Sequence, residues 1–257
     1  MDPIQGVTTL ERRLVYKAKQ SKMPINGSIE LLPLCNMNCN MCYVRLSHAE
    51  MEAQGRLRSL EEWSQAGEEM KNAGTLFLLL TGGEPLLYPE FKQLYLKLKD
   101  LGFVITINTN GTLIDEAWAD FFSDHKSRRI NITLYGSDDN AYQELCHYPG
   151  GFDKVMHAIK LLKERDVDVK LSSSLTRANQ NDMVRIIDLG EELGIPVRVD
   201  TYMMPAVRER NRPYDEQSRL DPASAARVRI QALKQEMGSE LFEEYVRKII
   251  FEVEHIL

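Results

Sequence analysis

Six short apolar runs, each followed by a segment of helical period, constrain this chain more than any other feature of its sequence. The runs at 28–32, 75–80, 103–108, 130–135, 167–173 and 197–202 read as strands. Between them, Phe91, Leu94, Tyr95, Leu98 and Leu101 recur at helical spacing, and so do Phe152, Val155, Met156, Ile159 and Leu162. Met183, Ile186, Ile187, Gly190 and Leu193 form a third such stripe. Ser59 and Glu62 predict a capping box that opens a helix running to about Asn72, and Gly74, Gly102 and Gly194 predict helix stops. A further helix is expected at 8–23 and two more beyond Pro222. Strand and helix in alternation imply an α/β fold with parallel pairing through right-handed crossovers. Periodicity leaves two closures open, a doubly wound sheet or a curled, incomplete barrel.

In either closure the loops after the strands share one rim, and α/β folds build their sites there. The rim carries "CNMNCNMCY" after the first strand, "TGGEP" after the second and "NTNGT" after the third. "YGSD", "SSSLT" and "YMMP" follow the remaining three. The first loop sets Cys35, Cys39 and Cys42 at C-x3-C-x2-C spacing, in a chain with one further cysteine, Cys146. Thiolates hold soft metals, so the candidates are zinc and an iron-sulfur cluster. Structural zinc needs a closed four-ligand shell, and the nearby extra ligand is His48. A four-iron cluster normally takes four cysteines; three leave one iron open to a small molecule. Packing as ordinary core is a poor alternative, because Asn36, Asn38 and Asn40 interleave the cysteines.

The 257 residues, 43% of them hydrophobic, suffice for one large domain. With 32 basic against 38 acidic residues the net charge is -6, and no basic block marks a nucleic-acid surface. The sequence has neither an apolar run of membrane-spanning length nor a signal-peptide core at its start, so a cytoplasmic location and no membrane partner are expected. In that reducing compartment, crowded cysteines point to a metal or redox site rather than disulfides.

The cysteine motif followed by Tyr43, placed directly after the first strand, with Gly82-Gly83-Glu84-Pro85 after the second, resembles the radical S-adenosylmethionine (radical SAM) enzymes. The resemblance runs from about 25 to 220 through "TNGT", "ITLYGSDDNAY" and "YMMP", and is nearest the SPASM-type peptide and sulfatase maturases. It implies an incomplete (β/α)6 barrel, a partial TIM barrel, at 25–220, with an N-terminal helical extension at 1–24 and a C-terminal helical segment at 221–257. It also implies that Cys35, Cys39 and Cys42 bind a 4Fe-4S cluster whose fourth iron is chelated by S-adenosylmethionine. One electron cleaves the sulfonium, and the resulting 5'-deoxyadenosyl radical takes a hydrogen atom from the substrate. A peptide or protein substrate and an external donor such as flavodoxin or ferredoxin are the implied partners.

By the same resemblance the glycine loop holds the methionine amino group, with Glu84 its side-chain contributor, and Tyr43 lies near adenine. Asn108, Asn110, Thr133 and Ser172 are expected at the cofactor's polar groups. Of Ser172, Ser173 and Ser174, alternation lets only some point inward. Cys146 reads as a small buried hydrophobe, because a fourth cysteine ligand would close the position the cofactor needs. Met203 and Met204 are expected to cap the rim. Arg208, Arg210, Arg212 and Arg219 offer a surface to an acidic peptide, although Glu209, Asp215 and Glu216 also fit a solvated loop. The segment after Pro222 lacks the auxiliary-cluster cysteines usual in SPASM-type relatives. The alternatives are a radical SAM enzyme of small-molecule or cofactor biosynthesis, a non-catalytic electron-transfer protein, and a zinc-binding interaction module.

Overall fold

The computed structural model describes residues 9–203 and 211–254. Six parallel strands, β1 (Asn26–Glu30), β2 (Phe77–Thr81), β3 (Val104–Thr109), β4 (Arg129–Thr133), β5 (Val169–Ser174) and β6 (Val197–Asp200), pair in unbroken order from β1 to β6. This order decides between the two closures. A doubly wound sheet reverses its strand order at a switch point, whereas right-handed crossovers that never reverse keep every helix on one face. The result is an open, incomplete (β/α)6 barrel whose edges are β1 and β6.

Burial alternates along the strands as that architecture requires. Leu78 and Leu80, Ile105 and Ile107, Ile130 and Ile132, and Val169 and Leu171 are buried on the outer face. There they meet α3 (Leu60–Asn72), α4 (Phe91–Asp100), α5 (Glu116–Asp124) and α7 (Gly151–Glu164), whose apolar stripes complete one continuous core. Neighbouring positions such as Thr106, Asn108, Asn131, Thr133 and Ser172 are only partly buried, so the concave face is polar.

The remaining elements trim this frame. An N-terminal helix, α1 (Thr9–Gln20), pairs Glu11 with Arg128 at the start of β4. Short helices α2 (His48–Gln54) and α6 (Asp139–Cys146) sit within loops, α2 opened by the capping box of Ser47 and Glu50. Ser59 and Glu62 form the predicted box on α3. A second apolar cluster joins α8 (Met183–Leu193), β6 and α9 (Pro222–Met237) through Ile187, Val199 and Val228. The last helix is α10 (Ser239–Glu254), which contacts α9.

Candidate active site

At the carboxyl ends of the strands lies a cavity of about 330 Å³, at the lower end of the size of small-molecule sites. Cys35, Cys39, Cys42 and Tyr43 line it from the loop after β1, and Gly82 and Gly83 from the loop after β2. Asn108, Asn110 and Thr133 line it from β3 and β4. One cavity therefore gathers most of the residues predicted from the sequence.

The loop between β1 and α2 is shaped to present its sulfurs. The backbone N–H of Met37 donates to Cys35 Sγ at 3.4 Å, and that of Arg45 donates to Cys42 Sγ at 3.2 Å. Asn110 Nδ2 adds a longer contact to Cys35 Sγ at 3.6 Å. Donors aimed at sulfur favour a thiolate, as a metal-bound cysteine requires. Burial opposes them and, with Glu84, Cys39 and Cys42 nearby, pushes the Cys35 thiol up to about 12. The sulfur therefore ionises when a metal takes the place of its proton. Soft sulfur donors on one cavity wall fit an iron-sulfur cluster.

The glycines are required by backbone crowding. Gly83 N–H donates to Leu32 O at 2.7 Å and Glu84 N–H to Leu34 O at 2.8 Å, so the β2 loop lies directly against the chain leaving β1. A Cβ on Gly83 would stand 2.1 Å from Leu34 O, and one on Gly82 2.6 Å from Leu32 O. Gly82 also holds φ at 145°, outside the range of most side chains.

Glu84 departs from the part expected of it. Its side chain is 0% exposed and does not line the cavity. The carboxylate accepts from Leu86 N–H at 3.1 Å, Thr109 Oγ1 at 2.8 Å and Asn110 N–H at 2.8 Å. Burial outweighs these three donors and raises it to about 7. It fastens the β2 loop to the end of β3, and the cavity wall at this point is backbone. Pro85, itself buried, begins the 3₁₀ turn Pro85–Leu87 and lies outside the cavity lining as well.

Asn110 ties the third loop to the first. Its Nδ2 donates to Asn36 Oδ1 at 2.8 Å, its Oδ1 accepts from Thr112 N–H and Oγ1, and Asn36 Nδ2 donates to Thr112 Oγ1. Asn108 accepts from Asn131 Nδ2 across the strands at 2.8 Å. On β5 the lining residue is Ser174; Ser172 shares its face one pair lower, beside Thr133 in the ladder. Tyr43 stands at the mouth, 52% exposed, its hydroxyl donating to Glu30 at 3.4 Å.

Sequence reasoning passed over Thr109 and Tyr135, and left Ser174 undecided against Ser172 and Ser173. Tyr135 lines the cavity against Tyr142, and burial beside the cysteines raises its phenol well above the ordinary value. Strand alternation carried to the end of β5 would have singled out Ser174. Met203 lines the cavity, while Met204, Arg208 and Arg210 lie outside the described residues. Arg219 stacks on the Tyr214 ring at 4.3 Å.

A parallel, unreversed six-strand barrel with a three-cysteine loop and a glycine loop at one rim defines a class of cofactor-dependent enzyme. The chain belongs to the radical SAM superfamily, which it matches over residues 29–209. That family uses a 4Fe-4S cluster and S-adenosylmethionine. Among its relatives, AdoMet-dependent heme synthase of Methanosarcina barkeri is 24% identical over 77% of this chain and 55% of its own length. PqqA peptide cyclase of Ruegeria pomeroyi is 26% identical over 86% of this chain and 58% of its own. The crystal structure of Streptococcus suis SuiB bound to precursor peptide SuiA superposes with a TM-score of 0.67 at 19% identity, over 88% of this chain and 50% of that one. The chain thus spans little more than half the length of these relatives. Among the described residues, no helix is long and apolar enough to cross a membrane.

Proposed function

We propose that this chain is the reaction core of an enzyme that modifies a peptide or protein by removing a hydrogen atom. The observation that carries this reading is the convergence of three cysteines, a side-chain-free glycine wall and the polar ends of β3 to β5 on one cavity. When bound there, a 4Fe-4S cluster and S-adenosylmethionine supply a 5'-deoxyadenosyl radical. Cys35, Cys39 and Cys42 would hold the cluster, steadied by the N–H donors of Met37 and Arg45. Backbone carbonyls of Gly82 and Gly83 would accept from the ammonium of the methionine moiety, while Glu84 keeps their loop in place from behind. Asn108, Asn110, Thr133 and Ser174 offer amides and hydroxyls to ribose and carboxylate, with Ser172 a pair further down. Tyr43, at the mouth, offers its ring to adenine.

The peptide reading draws on the PqqA cyclase and SuiB relatives. On this reading residues 25–220 are the core domain, with α1 before it and α9 and α10 after it; an external flavodoxin or ferredoxin supplies the electron. A cytoplasmic location accords with four cysteines that form no disulfide. A small-molecule substrate is the second reading, favoured by the heme synthase relatives. The separating experiment measures 5'-deoxyadenosine release by the anaerobically reconstituted chain with synthetic peptide pools, with a porphyrin and with GTP. Stimulation by a peptide pool supports the first reading; stimulation by porphyrin or GTP alone overturns it in favour of the second.

A further inference from the structure

The concave face of the barrel continues below the cavity, toward the amino ends of the strands, and there it is charged. Ser174 lines the cavity from β5, and alternation sets Ser172 and then Lys170 beneath it on the same face. Lys170 stands opposite Asn131 of β4, and Ser172 stands opposite Arg198 of β6. Three adjacent strands thus carry Arg129, Lys170 and Arg198 into one patch. Two of these cations are matched. Arg129 holds Asp168 through Nε at 3.1 Å and Nη2 at 3.1 Å, and Arg198 Nη2 reaches Asp200 at 3.3 Å.

Lys170 is not matched. Among the described residues its ammonium makes no ion pair and no hydrogen bond, although it is half-buried. Burial, reinforced by the charges of Arg129 and Arg198, lowers its proton affinity below that of an ordinary lysine, and Glu236 of α9 acts against them. Glu236 is no substitute for a partner. Burial raises its own carboxyl, and of the cations opposing that, Arg229 of the same helix acts more strongly than Lys170. Asn131 adds a second unfilled position: its Nδ2 donates to Asn108 Oδ1 at 2.8 Å, while its Oδ1 is buried without a donor. Buried polar groups are nearly always satisfied, and desolvated charges are paired. An ammonium without an anion and an amide oxygen without a donor, on paired residues, therefore outline a ligand rather than packing.

We infer that Lys170 sets substrate specificity by binding a carboxylate below the cavity, on the peptide reading the side chain of an Asp or Glu residue. The inference rests on the proposed function, because it needs a substrate that enters the barrel. A carboxylate forms a charge-assisted pair with the lysine. The backbone N–H of the same substrate residue, directly or through a water, is the donor that Asn131 lacks. From Lys170 to Ser174 the strand rises roughly 13 Å. The acid anchors the substrate at the lower end, while a neighbouring C–H bond is held against the cavity.

The test uses two synthetic peptide pools that differ only in carrying Asp and Glu or Asn and Gln, with a porphyrin as a third probe. On the anaerobically reconstituted wild type, acetylation of Lys170 by an N-hydroxysuccinimide ester is followed by peptide mapping, relative to exposed Lys97. The acidic pool should slow it severalfold and the amide pool should not. Equal protection by both pools, or protection by none of the three probes, overturns the inference. Protection by the porphyrin alone upholds a carboxylate site and assigns it to a small-molecule substrate. Release of 5'-deoxyadenosine separates this from the functional reading. The acidic pool should be half-saturating at about a tenfold lower concentration than the amide pool. Lys170→Gln should erase that preference, and Lys170→Arg should keep it. A preference that survives in folded, cluster-loaded Lys170→Gln overturns the inference and leaves the function standing. No release from wild type, with Lys170 still protected by the acidic pool, overturns the function and leaves the site standing.

Discussion

The buried carboxylate of Glu84 accepts the backbone N–H of Asn110 at 2.8 Å, so the loop after β2 is fastened to the loop after β3 from behind the cavity they line. Thr109 and Leu86 supply the other donors, which leaves Glu84 surrounded by N–H and O–H groups from two loops. An amide in its place must turn its NH2 toward one of those donors. Glu84→Gln should therefore cost about 1–3 kcal/mol. Chemical denaturation of the cluster-free chain checks this, and an unchanged midpoint contradicts it.

The same group gives a pH dependence of definite sign. Its carboxyl moves from an ordinary 4.5 to about 7 in the fold because burial penalises the charge. A raised acid binds its proton more tightly when folded, so its contribution is fully present below about 4.5 and is lost as pH rises to about 7. The stability gap between wild type and Glu84→Gln should therefore move against wild type across that window and level off above it. Paired denaturation curves at several pH values measure the gap; a flat difference contradicts burial as the source of the raised carboxyl.

Gly83→Ala tests the crowding between the first two loops. A Cβ there stands 2.1 Å from a backbone oxygen that cannot swing aside, so the loops must separate. About 1–3 kcal/mol of overpacking is expected, a fall in Tm of several degrees for a domain of this size. Thermal melting of the cluster-free protein reads it directly.

Asn110 distinguishes bonding from charge. Asn110→Ala removes the link to Asn36 and Thr112 and should cost roughly 1 kcal/mol with cluster loading retained. Asn110→Asp keeps the acceptor for Thr112 but sets a carboxylate beside Cys35 Sγ, against an anionic cluster. Its iron content after reconstitution should fall below that of Asn110→Ala; the reverse order contradicts the geometry.

Much of the fold was legible in the residues because the strand and helix periods are clean. The predicted strands at 103–108 and 197–202 overlap β3 and β6 closely, and Ser59 with Glu62 does cap α3. The predicted first strand sits two residues late, because Asn26 and Gly27 are weak strand formers that join through pairing with Phe77 and Leu78. Helices α2, α5 and α6 were missed; α6, eight residues long, offers only Tyr142, Leu145 and Cys146 as an inward face. Closure of the sheet was undecidable, since strand order is a long-range property that no local period encodes. The same limit explains Glu84, whose partners Thr109 and Asn110 lie 25 and 26 residues away. No local spacing announces them.

Every role proposed for the rim residues requires that the three-cysteine cavity cleave S-adenosylmethionine. The decisive measurement is 5'-deoxyadenosine formed by the anaerobically reconstituted, dithionite-reduced chain, compared with a variant in which Cys35, Cys39 and Cys42 are all Ala. Wild type should release 5'-deoxyadenosine and methionine in equal amounts, and the variant none. A wild-type protein that carries a reducible cluster yet yields no more than the variant would contradict the proposed function.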